Sequence, residues 1–186
     1  MRGIAGGKSL SNPESEMMRM IAAVTMAAML AVPALGQEPP KPGPEHKMLK
    51  QREGTWDTTM KAGGMEYTGT VTYKMELGGL WLVGSMVSDL GGQKFSGKSL
   101  DTYDAGKKKY VGIWCDSMST TPMSMEGSYN PAKKTLTMIG DGPGMDGKPT
   151  KWRSVSEMPD KDTIQMSMYV GDGKDPMFTV TYKRKK

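Results

Sequence analysis

From Thr55 to the C-terminus the chain alternates apolar and polar positions in short runs. Val, Thr, Tyr, Trp and Met supply the apolar side, and Gly, Pro, Asn and Asp separate the runs. A period of two over stretches this short predicts β-strands with one buried face. Ten runs satisfy it: Thr55–Lys61, Met65–Leu77, Leu80–Ser88, Gln93–Tyr103, Lys108–Ser117, Met123–Tyr129, Lys134–Gly140, Thr150–Met158, Thr163–Val170 and Pro176–Lys183. The second is the clearest, with Tyr67, Gly69, Val71, Tyr73, Met75 and Leu77 alternating against Thr68, Thr70, Thr72, Lys74 and Glu76. The third and fifth are apolar on both faces, which leaves their phase open and admits an oligomer contact or a covering loop. No segment after Arg52 carries a helical period long enough to compete.

The breaks have the chemistry of tight turns: Gly63-Gly64, Gly78-Gly79, Gly91-Gly92, Asp104-Ala105-Gly106, Asn130-Pro131 and Gly171-Asp172-Gly173. Glycine pairs and Asp-Gly steps supply the positive φ angles of hairpin turns, so consecutive strands are antiparallel neighbours. Tyr103-Asp104 followed by Lys107-Lys108, and Tyr129-Asn130 followed by Lys133-Lys134, read as one hairpin design used twice through shared turn chemistry. A meander of this kind must hide its edge strands, and closure removes them. The expected fold is an all-β, about ten-stranded antiparallel up-and-down barrel. A two-sheet sandwich is the alternative, but it needs long cross-connections, and the one long loop expected here is Asp141–Pro149.

Ahead of the strands, Glu45–Arg52 reads as one or two helical turns, with Pro44 suited to the first turn and Met48 and Leu49 turned toward the body as a cap on one end of the barrel. Residues 37–44 are Pro-rich and read as an extended linker. Residues 1–36 read as a leader containing a secretory signal: Arg19 precedes the apolar run Met20–Val32, and Ala34 and Gly36 occupy the −3 and −1 positions of a cleavage site before Gln37. The polar, Gly-rich opening leaves Met17, Met18 or Met20 as alternative starts. The apolar run falls short of the roughly 20 residues of a membrane helix, so no stable span is expected after cleavage. The cleavage site lacks the Cys of a lipoprotein. A periplasmic or secreted location follows, with residues 45–186 as the folded domain.

Composition changes this picture little. A chain of 186 residues suits a single domain plus a removable leader. The net charge of +5 is spread along the chain as Lys interleaved with Asp and Glu, without the basic cluster and stacking aromatics of a nucleic-acid groove.

Glu53-Gly54-Thr55-Trp56 resembles the Gly-x-Trp signature that opens the first strand of lipocalins and the wider calycin superfamily. In lipocalins that Trp closes the barrel floor beneath a basic residue of the last strand. Phe178, Val180, Tyr182 and Arg184 share one face of the last strand by the period of two, which puts Arg184 in phase for that role over Trp56. The mature chain further resembles a family of exported bacterial proteins of unknown function placed among the calycins. That likeness is carried by Pro44-Glu45-His46-Lys47, Glu53–Trp56, Tyr73–Leu82, Tyr110–Trp114 and Met168–Lys174. The resemblance implies a barrel and brings no activity with it.

With Trp56 inward, Thr58 and Met60 are inward too. The candidate ligand-binding residues are Tyr67, Tyr73, Met75, Phe95, Met123, Met125, Trp152, Met166, Met168 and Phe178, with Ile164 and Val180 on the same face. Flexible thioethers and aromatic walls suit an adaptable pocket for an apolar or amphipathic small molecule; the same side chains can equally fill a core without a ligand. No metal or cofactor is expected. Met123-Ser124-Met125 and Met166-Ser167-Met168 pair thioethers on one face as copper(I) sites do, but such pairs arise readily in Met-rich strands. The nitrobindins, also calycins, hold haem through a His, whereas His46 lies ahead of the strands. Zinc fails with one His and one Cys. Cys115, having no partner, is expected buried as a small hydrophobe.

No nucleophile elbow, phosphate loop or metal spacing appears, and binding without catalysis is the leading expectation. Two alternatives stand beside it. One is an enzyme on the same fold using a buried carboxylate, Asp116 or Glu126, with an Arg. The other is an envelope structural or interaction protein with a filled barrel.

Overall fold

The computed structural model describes residues 38–144 and 146–186. The segment read from the sequence as a secretory signal, with its expected cleavage site, lies outside the described residues. Helix α1 (Pro44–Gln51) precedes ten strands: β1 (Gly54–Ala62), β2 (Met65–Glu76), β3 (Trp81–Asp89), β4 (Lys94–Asp104), β5 (Lys109–Asp116), β6 (Met123–Asn130), β7 (Thr135–Pro143), β8 (Pro149–Asp160), β9 (Thr163–Val170) and β10 (Phe178–Arg184). A 3₁₀ turn at Leu77–Gly79 links β2 to β3. Each strand pairs antiparallel with its sequence neighbours, and β1 also pairs with β10, so the sheet is a closed up-and-down barrel. Closure leaves no unpaired edge, and the sandwich alternative is excluded.

Turn chemistry sets the register. Ala62 pairs with Met65 across Gly63 and Gly64, whose φ angles of 54° and 79° belong to a two-residue primed turn whose twist matches the strands. The β4–β5 and β6–β7 hairpins are the same device twice. Asp104 Oδ1 accepts the Lys107 N–H at 2.9 Å and Asn130 Oδ1 accepts the Lys133 N–H at 3.1 Å. Lys108 and Lys134 then take positive φ, 54° and 51°. An Asx turn supplies the first bend and a left-handed residue the second, which explains the repeated motif without invoking duplication.

The expected long loop over Asp141–Pro149 is corrected. Strands β7 and β8 extend until Pro143 faces Pro149, and Gly144 N donates to Lys148 O at 2.7 Å. Pro143 and Pro149 fit because they sit at the outermost positions of their strands, where a missing N–H costs no ladder bond.

Trp56 fixes the inward phase, and the register carries it around the wall. Trp56 faces Val71, which faces Met86, Gly97 and Asp116 in turn. This settles the two ambiguous strands. Leu82, Gly84 and Met86 of β3 point inward with Tyr110, Gly112 and Trp114 of β5. Outside, Val83, Leu100 and Ile113 lie side by side, the last two 37% and 43% exposed. Cys115 belongs to the outer set and is exposed, contrary to the burial expected for it, because Trp114 takes the inward position beside it.

The interior packs as two clusters. Met48 and Leu49 of α1 join Leu82, Tyr110, Leu136 and Met138 at the helix end, and Trp56, Val71, Ile164, Val180 and Tyr182 form the second. Large inward side chains lie over small ones. A Cβ at Gly84 would meet the Tyr73 ring at 2.7 Å, and one at Gly97 would strike the Trp114 indole. Alternating large and small residues in this way fits bulky side chains inside a narrow barrel.

Candidate functional site

At the helix end of the barrel the last strand crosses the first. The Arg184 guanidinium lies 4.0 Å from the Trp56 ring centroid, a cation–π stack, and the indole is fully buried. Arg184 donates through Nη1 to Glu53 O at 2.6 Å, through Nη2 to Gln51 O at 2.9 Å and through Nε to Lys161 O at 2.9 Å, tying β10 to the end of α1 and to the β8–β9 turn. The Trp56 Nε1–H donates to Arg52 O at 2.8 Å. Gly54 is needed at this crossing. Its φ is 123°, and a Cβ there would sit 2.7 Å from Arg184 Nη1. The structure thus brings together Trp56 and Arg184, the pair read from the sequence as closing the barrel.

All ten candidate ligand-binding residues share the inward phase, but they separate by depth. Tyr73, Met75 and Met125 pack against the helix-end cluster, and Met166 and Phe178 against the Trp56 cluster. At the opposite end, where the β1–β2, β3–β4, β5–β6, β7–β8 and β9–β10 hairpins lie, the inward positions Tyr67, Phe95, Met123 and Trp152 form an apolar rim, and Phe178 joins it to the Trp56 cluster. Met168 faces Phe178 across β9 and β10. Trp114, absent from the sequence candidates because the phase of β5 was open, completes the rim. It stacks on Phe95 with centroids 6.3 Å apart and faces Met123 in the ladder. A groove of about 580 Å³ near this end lies mainly on the outer face of β2, β3 and β4, lined by Thr68, Thr70, Val87 and Lys94 and reaching Gly69 and Phe95 at its edge.

Below the rim lies a polar cluster that sequence reasoning missed. Arg52, the residue that ends α1, turns its guanidinium inward and donates from Nη2 to Ser156 Oγ at 2.5 Å. Its Nε is buried without a partner. Asp101, on the inward face of β4 over Gly112, is a half-buried carboxylate inside the barrel. Desolvation raises its pKa to about 6, against the pull of the nearby Ser99 hydroxyl and the Arg52 charge. Tyr73 and Tyr182 face this carboxylate, and burial raises the pKa of both phenols. Next to them Tyr110 stacks edge-on against Tyr103 and Tyr129, donates to Glu45 O at 3.1 Å, and is pushed up to about 12, chiefly by desolvation.

The carboxylates singled out from the sequence are placed differently. Asp116 points inward, but at the rim, where Oδ2 accepts the Trp114 indole N–H at 2.8 Å and Oδ1 the Met118 N–H at 2.9 Å. Glu126 lies on the outer face and pairs with Lys109 and Lys107, whose hydrogen bonds hold its carboxyl below the usual range. It therefore stands outside any interior chemistry. His46 is buried in α1, where its Nδ1 accepts the Gly43 N–H at 3.0 Å. Among the described residues no three His, Cys, Asp or Glu side chains converge on a metal position.

Comparison with known proteins adds a family. A family model described as "Protein of unknown function (DUF1579)" matches residues 41–184. The chain belongs to the DUF1579 family. The matched span runs from the approach to α1 to Arg184, so the floor contacts and the polar cluster of this DUF1579 chain all fall within it. No curated protein matches. Among solved structures, Rv2717c from M. tuberculosis is similar with a TM-score of 0.56 and 13% identity, over 77% of this chain and 99% of that one. A redesigned β-barrel, b11L5F_LGL, gives 0.45 at 16% identity over 75% and 96% of the two chains. The redesigned barrel mFAP0, bound to DFHBI, gives 0.41 at 14% identity over 72% and 99%. The likeness to Rv2717c is one of fold.

Proposed function

We propose that this DUF1579 protein is exported and binds an apolar or amphipathic small molecule inside its barrel, without catalysis of its own. The observation that carries the reading is the division of the interior: an apolar aromatic and thioether rim at the end away from Trp56 and Arg184, above buried polar groups with unused hydrogen-bonding capacity. Apolar walls with a few convergent polar groups are the usual make-up of a small-molecule site. The Gly54–Trp56–Arg184 crossing supports placement among the calycins, and the leader supports a periplasmic or secreted location.

The test is displacement of the fluorescent apolar probe N-phenyl-1-naphthylamine. The mature protein takes up the probe, a panel of lipids and aromatic compounds displaces it, and Phe95→Glu at the rim weakens uptake at least several-fold. Protein that leaves the probe unbound, or a Phe95→Glu variant that binds it equally, contradicts the reading. N-terminal sequencing of exported protein tests the leader: a start at Gln37 supports cleavage, and an intact leader contradicts it. A second reading, an envelope interaction protein, is favoured by the outer apolar stripe of Val83, Leu100 and Ile113. A barrel that takes up no ligand would favour it over the first.

A further inference from the structure

Arg52 and Asp101 are opposite charges inside the barrel that do not close on each other. Each feels the other's charge, yet the ion pairs within 4.0 Å among the described residues are formed by other side chains. Arg52 spends Nη2 on Ser156 and leaves Nε unused. The Ser99 hydroxyl, on a residue only 8% exposed, hydrogen-bonds the Asp101 carboxylate and has no other partner. Buried donors and acceptors in folded proteins are almost always satisfied, and each one left open costs the full desolvation of that group. An unpartnered Arg52 donor beside a Ser99–Asp101 pair whose carboxylate has lone pairs to spare forms a polar site lacking its complement.

Resting on the binding reading above, we propose that this cluster holds the head group of the ligand, and that the head is neutral and both donates and accepts hydrogen bonds, as a primary amide does. The charges decide the class. Arg52 and ionised Asp101 together are neutral, so a neutral head adds no uncompensated charge to a desolvated site. A carboxylate head would face Asp101 and must bring a proton with it; an ammonium head would face Arg52. An amide satisfies both sides at once: its oxygen accepts from Arg52 Nε, and its N–H groups donate to Asp101 and to Ser99 Oγ. The chain of such a molecule would run from the cluster toward Trp114 and Phe95 at the rim.

The site is also sensitive to pH. The titratable and charged groups facing Asp101 are Arg52 from the end of α1, Tyr73 from β2 and Tyr182 from β10. Burial keeps both phenols protonated. Asp101 alone changes state near neutrality, at about pH 6. The amide donates to the ionised carboxylate, so affinity is full above that pH and is lost as pH falls through it. If only the ionised form binds, the apparent Kd rises about tenfold between pH 7 and pH 5.

The experiment is calorimetric titration of the mature protein with octanamide, octanoate and octylamine, with N-phenyl-1-naphthylamine as a probe of the apolar rim alone. Octanamide binds most tightly of the three at pH 7 and weakens about tenfold at pH 5. In Asp101→Asn, which keeps an acceptor without a titrating group, the pH dependence disappears while the naphthylamine still binds. Ser99→Ala reduces octanamide affinity several-fold and leaves the naphthylamine unaffected. Octanoate or octylamine binding as tightly as octanamide, or an octanamide pH profile unchanged in Asp101→Asn, overturns the inference while the binding reading stands. Failure of all four compounds to bind overturns both. Probe uptake by each variant shows that its barrel is folded, so a misfolded variant is not mistaken for a lost contact.

Discussion

Gly54→Ala tests the floor of the barrel at a single methyl group. Gly54 holds a φ of 123°, and its missing side chain leaves room for Arg184, whose Nη1 would lie 2.7 Å from the new Cβ. Two costs follow. Holding a residue with a side chain at such a φ costs about 1–3 kcal/mol. Pushing the guanidinium aside weakens its bonds to Glu53 O and Gln51 O and its stack on Trp56; a hydrogen bond from a charged group contributes about 1.5–3 kcal/mol, less here because Arg184 is partly exposed. The sum is about 2–4 kcal/mol, or a fall in Tm of about 10 °C for a domain of this size. Urea denaturation of the mature protein measures it. The same substitution in an Arg184→Met background should cost at least about 1 kcal/mol less, because only the backbone strain remains. A Gly54→Ala protein within about 0.5 kcal/mol of the parent, or an equal cost in both backgrounds, would refute the crossing of Arg184 over Gly54.

Three further outcomes are expected. Trp56→Ala removes a fully buried indole and costs about 3–5 kcal/mol through the cavity left behind, read in the same denaturation assay. Asp101 has a folded-state pKa of about 6, above its unfolded value, so its ionisation opposes folding above that pH. The penalty fades as pH falls from 6 toward 4, and Asp101→Asn should therefore be about 2 kcal/mol more favourable relative to the parent at pH 7.5 than at pH 4.5, with a pH-independent difference counting against the burial. Cys115 on the outer face should react stoichiometrically with an aromatic disulfide reagent in the native protein, and protection until denaturant is added would show that something covers it.

The fold was readable because each of its determinants is local. Paired glycines and Asx turns mark the hairpins, and the period of two in β2 and β10 fixes which face holds Tyr73 and which holds Arg184. The candidate site was half readable for the same reason. Parity placed the aromatic and Met residues inward, yet the third and fifth strands carry apolar residues on both faces, so local pattern could not distinguish Trp114 from Cys115. Only the ladder from Trp56 through Val71, Met86 and Gly97 decides it. The polar cluster escaped for a different reason. Arg52 ends a short helix, where a basic residue ordinarily serves the helix dipole in solvent, and nothing local shows that this helix sits over a barrel mouth. Asp101 shares the parity of Phe95, six positions away along β4, which was the available signal. Charge ordinarily argues for the outer face, and it outweighed parity there until Gly112 and Arg52 were seen to make room for a carboxylate inside.

The central claim is that the barrel carries a small molecule in its native setting. Native mass spectrometry of the protein isolated from the envelope of its own host tests it most directly. The account predicts a chain beginning at Gln37 with a noncovalent small-molecule adduct that is released on collisional activation and displaced by octanamide. Persistently empty protein that takes up nothing from a lipid and aromatic panel would contradict it.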